Sequence, residues 1–197
     1  MKKTLLSAFI LFSITLFSQK IATVKNAVVQ FEASVPIFEP VAAINNSVHS
    51  ALNTRNGYIS FEIVMKQFHF EKSLMEAHFN ENYLETDRYS KATFKGIIEN
   101  FDLKEINNLP KTYLIKGKLK IHGKTKAITT KVKLQYNQKG LLLVSKFDIN
   151  TDDFDIVIPA LVRNKISKTV AASIRSLFPV TPIKLDSITV HLKSNKN

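Results

Sequence analysis

The sequence predicts an all-β protein: one closed or nearly closed antiparallel barrel of about eight strands, with one or two short helices. Three observations point there. Apolar residues recur with a period of two along most of the chain. The alternating runs are separated by short turns rich in Gly, Asn and Lys. Most of the 14 Phe residues fall on or beside those runs, where they supply apolar area with no polar tip to satisfy. A hydrophobic content of 45% excludes a disordered chain. The absence of cysteine excludes a disulfide scaffold, a thiolate zinc site, a cysteine nucleophile and a lipoprotein anchor.

The first residues read as an address. Met1-Lys2-Lys3 is a positive start, Thr4 to Phe17 is an apolar run, and Ser18-Gln19 breaks it. This is the layout of a secretory signal peptide, and the run is short of the ~20 residues of a spanning helix. The expected organisation is a signal peptide over residues 1–18 and a single domain over residues 19–197, working in the periplasm or secreted.

Each element then follows in order. Ile21 to Ala33 reads as a strand carrying Val24, Val28, Val29 and Phe31. His49-Ser50 lies in a loop-like context. Gly57 to Phe70 places Ile59, Phe61, Ile63 and Met65 on one face, and the phase then slips to Phe68 and Phe70. Such a slip flips the buried face, so the reading is a bulge near Lys66-Gln67 or a strand covered on both sides. Leu74 to Tyr83 has the three- and four-residue spacing of a helix, with Ser73 as its cap. Ala92 to Phe101 is a strand with Ala92, Phe94, Gly96 and Ile98 aligned.

A meander follows. In Thr112 to His122, Ile115, Gly117, Leu119 and Ile121 alternate with Lys116, Lys118, Lys120 and His122. Gly123 to Lys126 turns the chain. Ile128, Thr130, Val132, Leu134 and Tyr136 then alternate with Lys131, Lys133 and other polar residues. Asn137-Gln138-Lys139-Gly140 is a hairpin loop, and Leu141, Leu143, Ser145, Phe147 and Ile149 form the next inward row. Pro159 to Lys168 reads as a helix opened by proline. Thr169 to Phe178 fits either period and is read as a strand, and Ser187 to Lys193 as another.

The formal net charge is +12, from 28 Lys+Arg against 16 Asp+Glu, and only four of the cations are arginine. Lysine suits a solvated exterior and lacks the bidentate fork of sequence-reading proteins, so nucleic acid is not an expected partner. A patch of lysines on Lys116 to Lys133 offers peripheral contact with an anionic membrane surface. The five histidines show no metal-ligand spacing. His78 is expected to fix the helix against the sheet. Asp152, Asp153 and Asp155 read as turn chemistry rather than a catalytic pair. No phosphate loop, dinucleotide fingerprint or nucleophile elbow occurs. No catalysis is expected. A barrel of about eight strands can fill itself with side chains or hold one small ligand, and both alternatives stay open on the residues alone.

Two stretches resemble a known family. Ser73-Leu74-Met75-Glu76-Ala77-His78-Phe79-Asn80-Glu81-Asn82-Tyr83 with the strand start Ala92-Thr93-Phe94-Lys95-Gly96 resembles the central signature of the YceI-like family. Gly117-Lys118-Leu119-Lys120-Ile121-His122-Gly123-Lys124-Thr125-Lys126 resembles its second signature, and Asp152 to Ile156 its late segment. Ser90 stands where the family has a proline, and Asn26 to Phe31 lacks the family's usual His-Ser start. The resemblance implies a lipocalin-like barrel, exported, that binds a long isoprenoid chain or similar amphiphile. It implies no cofactor beyond such a bound lipid, and it leaves the oligomeric state open. With the lysine-free rows turned inward, the expected lining is Phe61, Ile63, Met65, Met75, Phe79, Phe94, Ile98, Leu119, Ile121, Val132 and Phe147.

Overall fold

Eight antiparallel strands close on themselves in the computed structural model, which describes residues 21–181. They are β1 (Ile21–Ser34), β2 (Ala42–Asn53), β3 (Tyr58–Val64), β5 (Lys91–Ile98), β6 (Lys111–Ile121), β7 (Lys124–Asn137), β8 (Gly140–Asn150) and β9 (Ile166–Phe178). A two-residue strand, β4 (His69–Phe70), pairs with β2 beyond the end of β3. Neighbours in sequence pair around the wall, and β1 closes it by pairing with both β2 and β9. Among the described residues, closure leaves no long unpaired edge, which lysine-rich strands would otherwise have to protect.

The period-two rows hold. Ile115 and Leu119 are buried on β6, and Val132, Leu134 and Tyr136 on β7, while Lys116, Lys118, Lys120, Lys131 and Lys133 are all exposed. Between them, His122 and Gly123 both take positive φ (48° and 76°), a two-residue hairpin turn, so β7 resumes at Lys124, earlier than expected.

Four expectations need correction. The strand β2 contains His49-Ser50, placed in a loop by the sequence reading. Its inward row is Ala43, Asn45, Val48, Ser50 and Leu52, too polar to read as a buried face. The phase slip after Met65 is a 3-10 turn, Met65–Gln67, not a bulge; it re-aims Phe68 toward the core. The helix is shorter: α1 (Ser73–His78) runs into a π-turn at Phe79–Tyr83, where Leu84 N donates to Phe79 O at 2.9 Å. The segment from Pro159 keeps only one 3-10 turn, Ala160–Val162, because β9 begins at Ile166 to pair with β1 and β8. The strand expected at Ser187 to Lys193 and the segment 1–18 lie outside the described residues.

The two ends of the barrel differ. At one end lie the β2–β3, β5–β6 and β7–β8 connections. Here Leu52, Ile59, Ile98, Leu134, Leu141 and Phe178 are at most 1% exposed and fill the interior. At the other end lie the 35–41 loop, the 65–90 segment with α1, the His122-Gly123 turn and the 151–165 loop. Around this second end the interior is hollow.

Candidate functional site

The hollow has a volume of about 500 Å³ and opens at the loop-rich end. This lies within the ~300–1,000 Å³ of typical ligand pockets. Its floor is the row Phe61, Phe94 and Leu119, which are direct cross-strand partners on β3, β5 and β6. The Phe61 and Phe94 rings lie 6.3 Å apart. Above them Ile63 and Ala92 pair, with Ile121 beside Ala92 on β6 and Val132 and Phe147 farther round the wall on β7 and β8. One side of the mouth is a four-ring cluster. Phe31 stacks on Phe79 at 5.5 Å and meets Phe68 edge-on at 5.2 Å, and Phe70 lies 5.2 Å from Phe79. Met65 and Met75 complete that side.

Ten of the eleven residues expected from the sequence therefore line one hollow. Ile98 does not: β5 runs toward the filled end, and Ile98 is 1% exposed in the packed core there. The reading missed Phe31, Phe68 and Phe70 as lining, although their aromatic character was visible. Phe68 and Phe70 sit past the phase slip, and Phe31 lies on a strand whose register shifts at Ala27. It also missed the β9 side, where Val170, Ala172 and Ile174 face the hollow.

The wall is mostly apolar, and several of its hydroxyls are turned to backbone carbonyls. Ser145 Oγ donates to Lys131 O at 2.7 Å, and Ser167 Oγ to Thr169 O at 2.7 Å. Thr151 Oγ1 is buried on the wall with no hydrogen-bond partner among the described residues. Burial pushes the Tyr83 phenol above its ordinary value, so this lining hydroxyl stays protonated. Besides Tyr83, the charged or titratable lining residues are Glu39, His78 and Lys165, all on the mouth elements, and Glu39 is held by Lys72. His78 does not fix the helix to the sheet; it is exposed and accepts from Asn82 Nδ2 at 2.8 Å within the same segment.

Asp152, Asp153 and Asp155 each hold a lysine: Lys168 at 2.7 Å, Lys126 at 2.7 Å and Lys124 at 2.6 Å. They fasten the loop after β8 to β7 and β9. Hydrogen bonding from Lys124 holds the Asp155 carboxyl below its ordinary value. Among the described residues no group of three His, Cys, Asp or Glu could hold a metal ion, and no helix is long and apolar enough to cross a membrane.

No curated protein matches the chain in sequence. Solved structures do match its fold. A polyisoprenoid binding domain from Saccharophagus degradans, implicated in plant cell wall breakdown, superposes with a TM-score of 0.69 at 15% identity, covering 82% of this chain and 99% of that one. BcnA from Burkholderia cenocepacia superposes with a TM-score of 0.63, also at 15% identity, covering 76% and 94%. The sequence profile of the YceI-like domain matches residues 9–177, which takes in all of the barrel strands but Phe178 and both stretches singled out in the sequence. By the match of its sequence over most of its length, the chain belongs to the YceI-like family.

Proposed function

We propose that this protein is an exported carrier that holds a long apolar chain, a polyisoprenoid or a quinone with an isoprenoid tail, inside the barrel. The observation that carries the reading is the hollow itself: an aromatic and aliphatic chamber, closed by packed side chains at one end and open at the other. Burying the tail provides affinity at roughly 0.8 kcal/mol per CH₂ before the ordering cost of binding. A binding domain of the same fold named for polyisoprenoid supports the choice of ligand class. The protein acts as a binding protein and not an enzyme, since its charged lining groups stand at the mouth, away from the enclosed part of the hollow.

The start of the chain, residues 1–18, directs export, and residues 19–197 work as one domain in the periplasm or outside the cell. The lysine face of β6 and β7 steers the carrier toward anionic membrane surfaces. The reading is tested by extracting the purified protein with organic solvent and identifying what is released by mass spectrometry. An isoprenoid in stoichiometric amount supports it. Lipid-free protein whose unfolding midpoint is unmoved by added long-chain isoprenoid would leave a barrel that acts only through its exterior.

A further inference from the structure

The mouth carries apolar residues that the fold does not use. Ile37 is 98% exposed and Leu161 89%, with Val157 at 72% and Leu74 at 66%. Each is next in sequence to a lining residue: Phe38, Val162, Ile156 and Met75 respectively. Ile37 is also strained. It takes φ 72° at the tip of the loop Val35-Pro36-Ile37-Phe38-Glu39-Pro40, a conformation that β-branched residues avoid. A residue that buries nothing and opposes its own backbone preference is placed for something outside the fold.

The charge beside Leu161 suits an anionic surface. Arg163 and Lys165 stand two and four residues after Leu161, and neither has an ion-pair partner among the described residues. The carboxylates nearest Ile37 and Leu161 along the chain are occupied, Glu39 by Lys72 and Asp155 by Lys124, whereas Leu74 lies among the acidic residues Glu71, Glu76 and Glu81. The apolar side chains sit on separate loops around an opening, not on one flat face, so they suit a fluid bilayer better than a rigid protein partner. Other exposed apolar residues, Ile21, Tyr58, Ile97, Leu109 and Leu114, lie toward the filled end, and of these only Leu109 is as exposed as the rim residues.

We propose that the rim of the mouth docks on a bilayer containing anionic lipid, with Ile37 and Leu161 inserted among the acyl chains, and that ligand passes between bilayer and hollow through this contact. The proposal rests on the carrier reading: a tail leaving the hollow into water would lose its burial, so the mouth must meet the membrane.

The sequence contains no Trp, so a single introduced indole reports on one position. Leu161→Trp and Ile97→Trp are compared on vesicles of phosphatidylcholine with phosphatidylglycerol. Leu161→Trp is expected to shift its emission to the blue and to be quenched by brominated acyl chains, and Ile97→Trp to do neither. The double variant Ile37→Gly/Leu161→Ser is expected to keep the parent's unfolding midpoint, bind vesicles roughly tenfold more weakly, and still take up isoprenoid supplied in detergent. No response at Leu161→Trp, an equal response at Ile97→Trp, or undiminished vesicle binding by the double variant overturns the proposal. If Leu161→Trp inserts while the parent takes up no isoprenoid even from detergent, the docking surface stands and the carrier reading falls.

Discussion

Gly96 and Gly117 face each other across β5 and β6, and the ring of Phe94 lies down over both. A Cβ on Gly117 would stand 2.5 Å from Phe94 Cζ, and one on Gly96 2.7 Å from it. The two missing side chains let the ring fold toward the filled end instead of standing across the hollow. Gly117→Ala should therefore lift the ring into the chamber as well as crowd the Lys95 carbonyl at 2.5 Å. A loss of about 1–3 kcal/mol, as for overpacked cores, is expected in denaturant unfolding. Isoprenoid affinity should fall with it.

Phe94→Ala separates a chamber wall from a packed core. In a filled core such a truncation costs about 3–5 kcal/mol. Phe94 borders a space that already exists, so the empty protein should lose less than that. Added isoprenoid should raise the unfolding midpoint of the parent more than that of the variant. Ala92→Phe, directed into the same chamber, should fold and abolish the ligand-dependent shift; a protein that cannot fold with Phe at 92 would mean there is no room there.

Ser50 Oγ and Ser176 Oγ are 2.7 Å apart and buried, joining β2 to β9. Replacing either serine alone by Ala strands the other hydroxyl, at about 1–3 kcal/mol. The double Ala variant should cost less than the two singles combined, because it leaves no unpaired partner. Strict additivity in chemical denaturation would show that the two hydroxyls do not act as a pair.

Acid should weaken the barrel through exposed pairs as well as through net charge. A hydrogen bond from Lys91 holds Glu62 below its ordinary 4.5, partly opposed by burial. A folded-state value below the unfolded one contributes stability that is fully present above pH 4.5 and is lost as pH falls through the folded value. Glu62→Gln should therefore flatten the decline of the unfolding midpoint below that pH. The effect should be small and should shrink further in salt, because the pair is open to solvent. A variant that declines as steeply as the parent would assign acid sensitivity elsewhere.

How far the sequence reached depended on where hydrophobicity alone sets the structure. On β6, β7 and β8 the inward rows are apolar but for Thr130 and Ser145, and each lysine faces water, so period two fixes both pairing and the face turned inward. The same logic placed Phe61, Phe94, Leu119 and Val132 on the wall of the chamber. It failed on β2, where the inward row includes Asn45 and Ser50. Asn45 is fully buried only because its Nδ2 donates to Val64 O at 3.0 Å and its Oδ1 accepts from Ser47 N at 2.9 Å. Ser50 needs Ser176, 126 residues away in the chain. No local pattern announces partners at that distance.

Whether the barrel would be filled or hollow was also beyond the sequence, because the same aromatic residues serve both. The tertiary structure decided in favour of each at a different end. Toward Ile98 and Phe178 the side chains converge and exclude space. Toward Phe79 and Lys165, the 3-10 turn at Met65–Gln67, α1 and the loop after β8 hold the walls apart. Alternation tells a side chain which face to take; only the relative placement of strands from distant parts of the chain determines how much room is left between those faces.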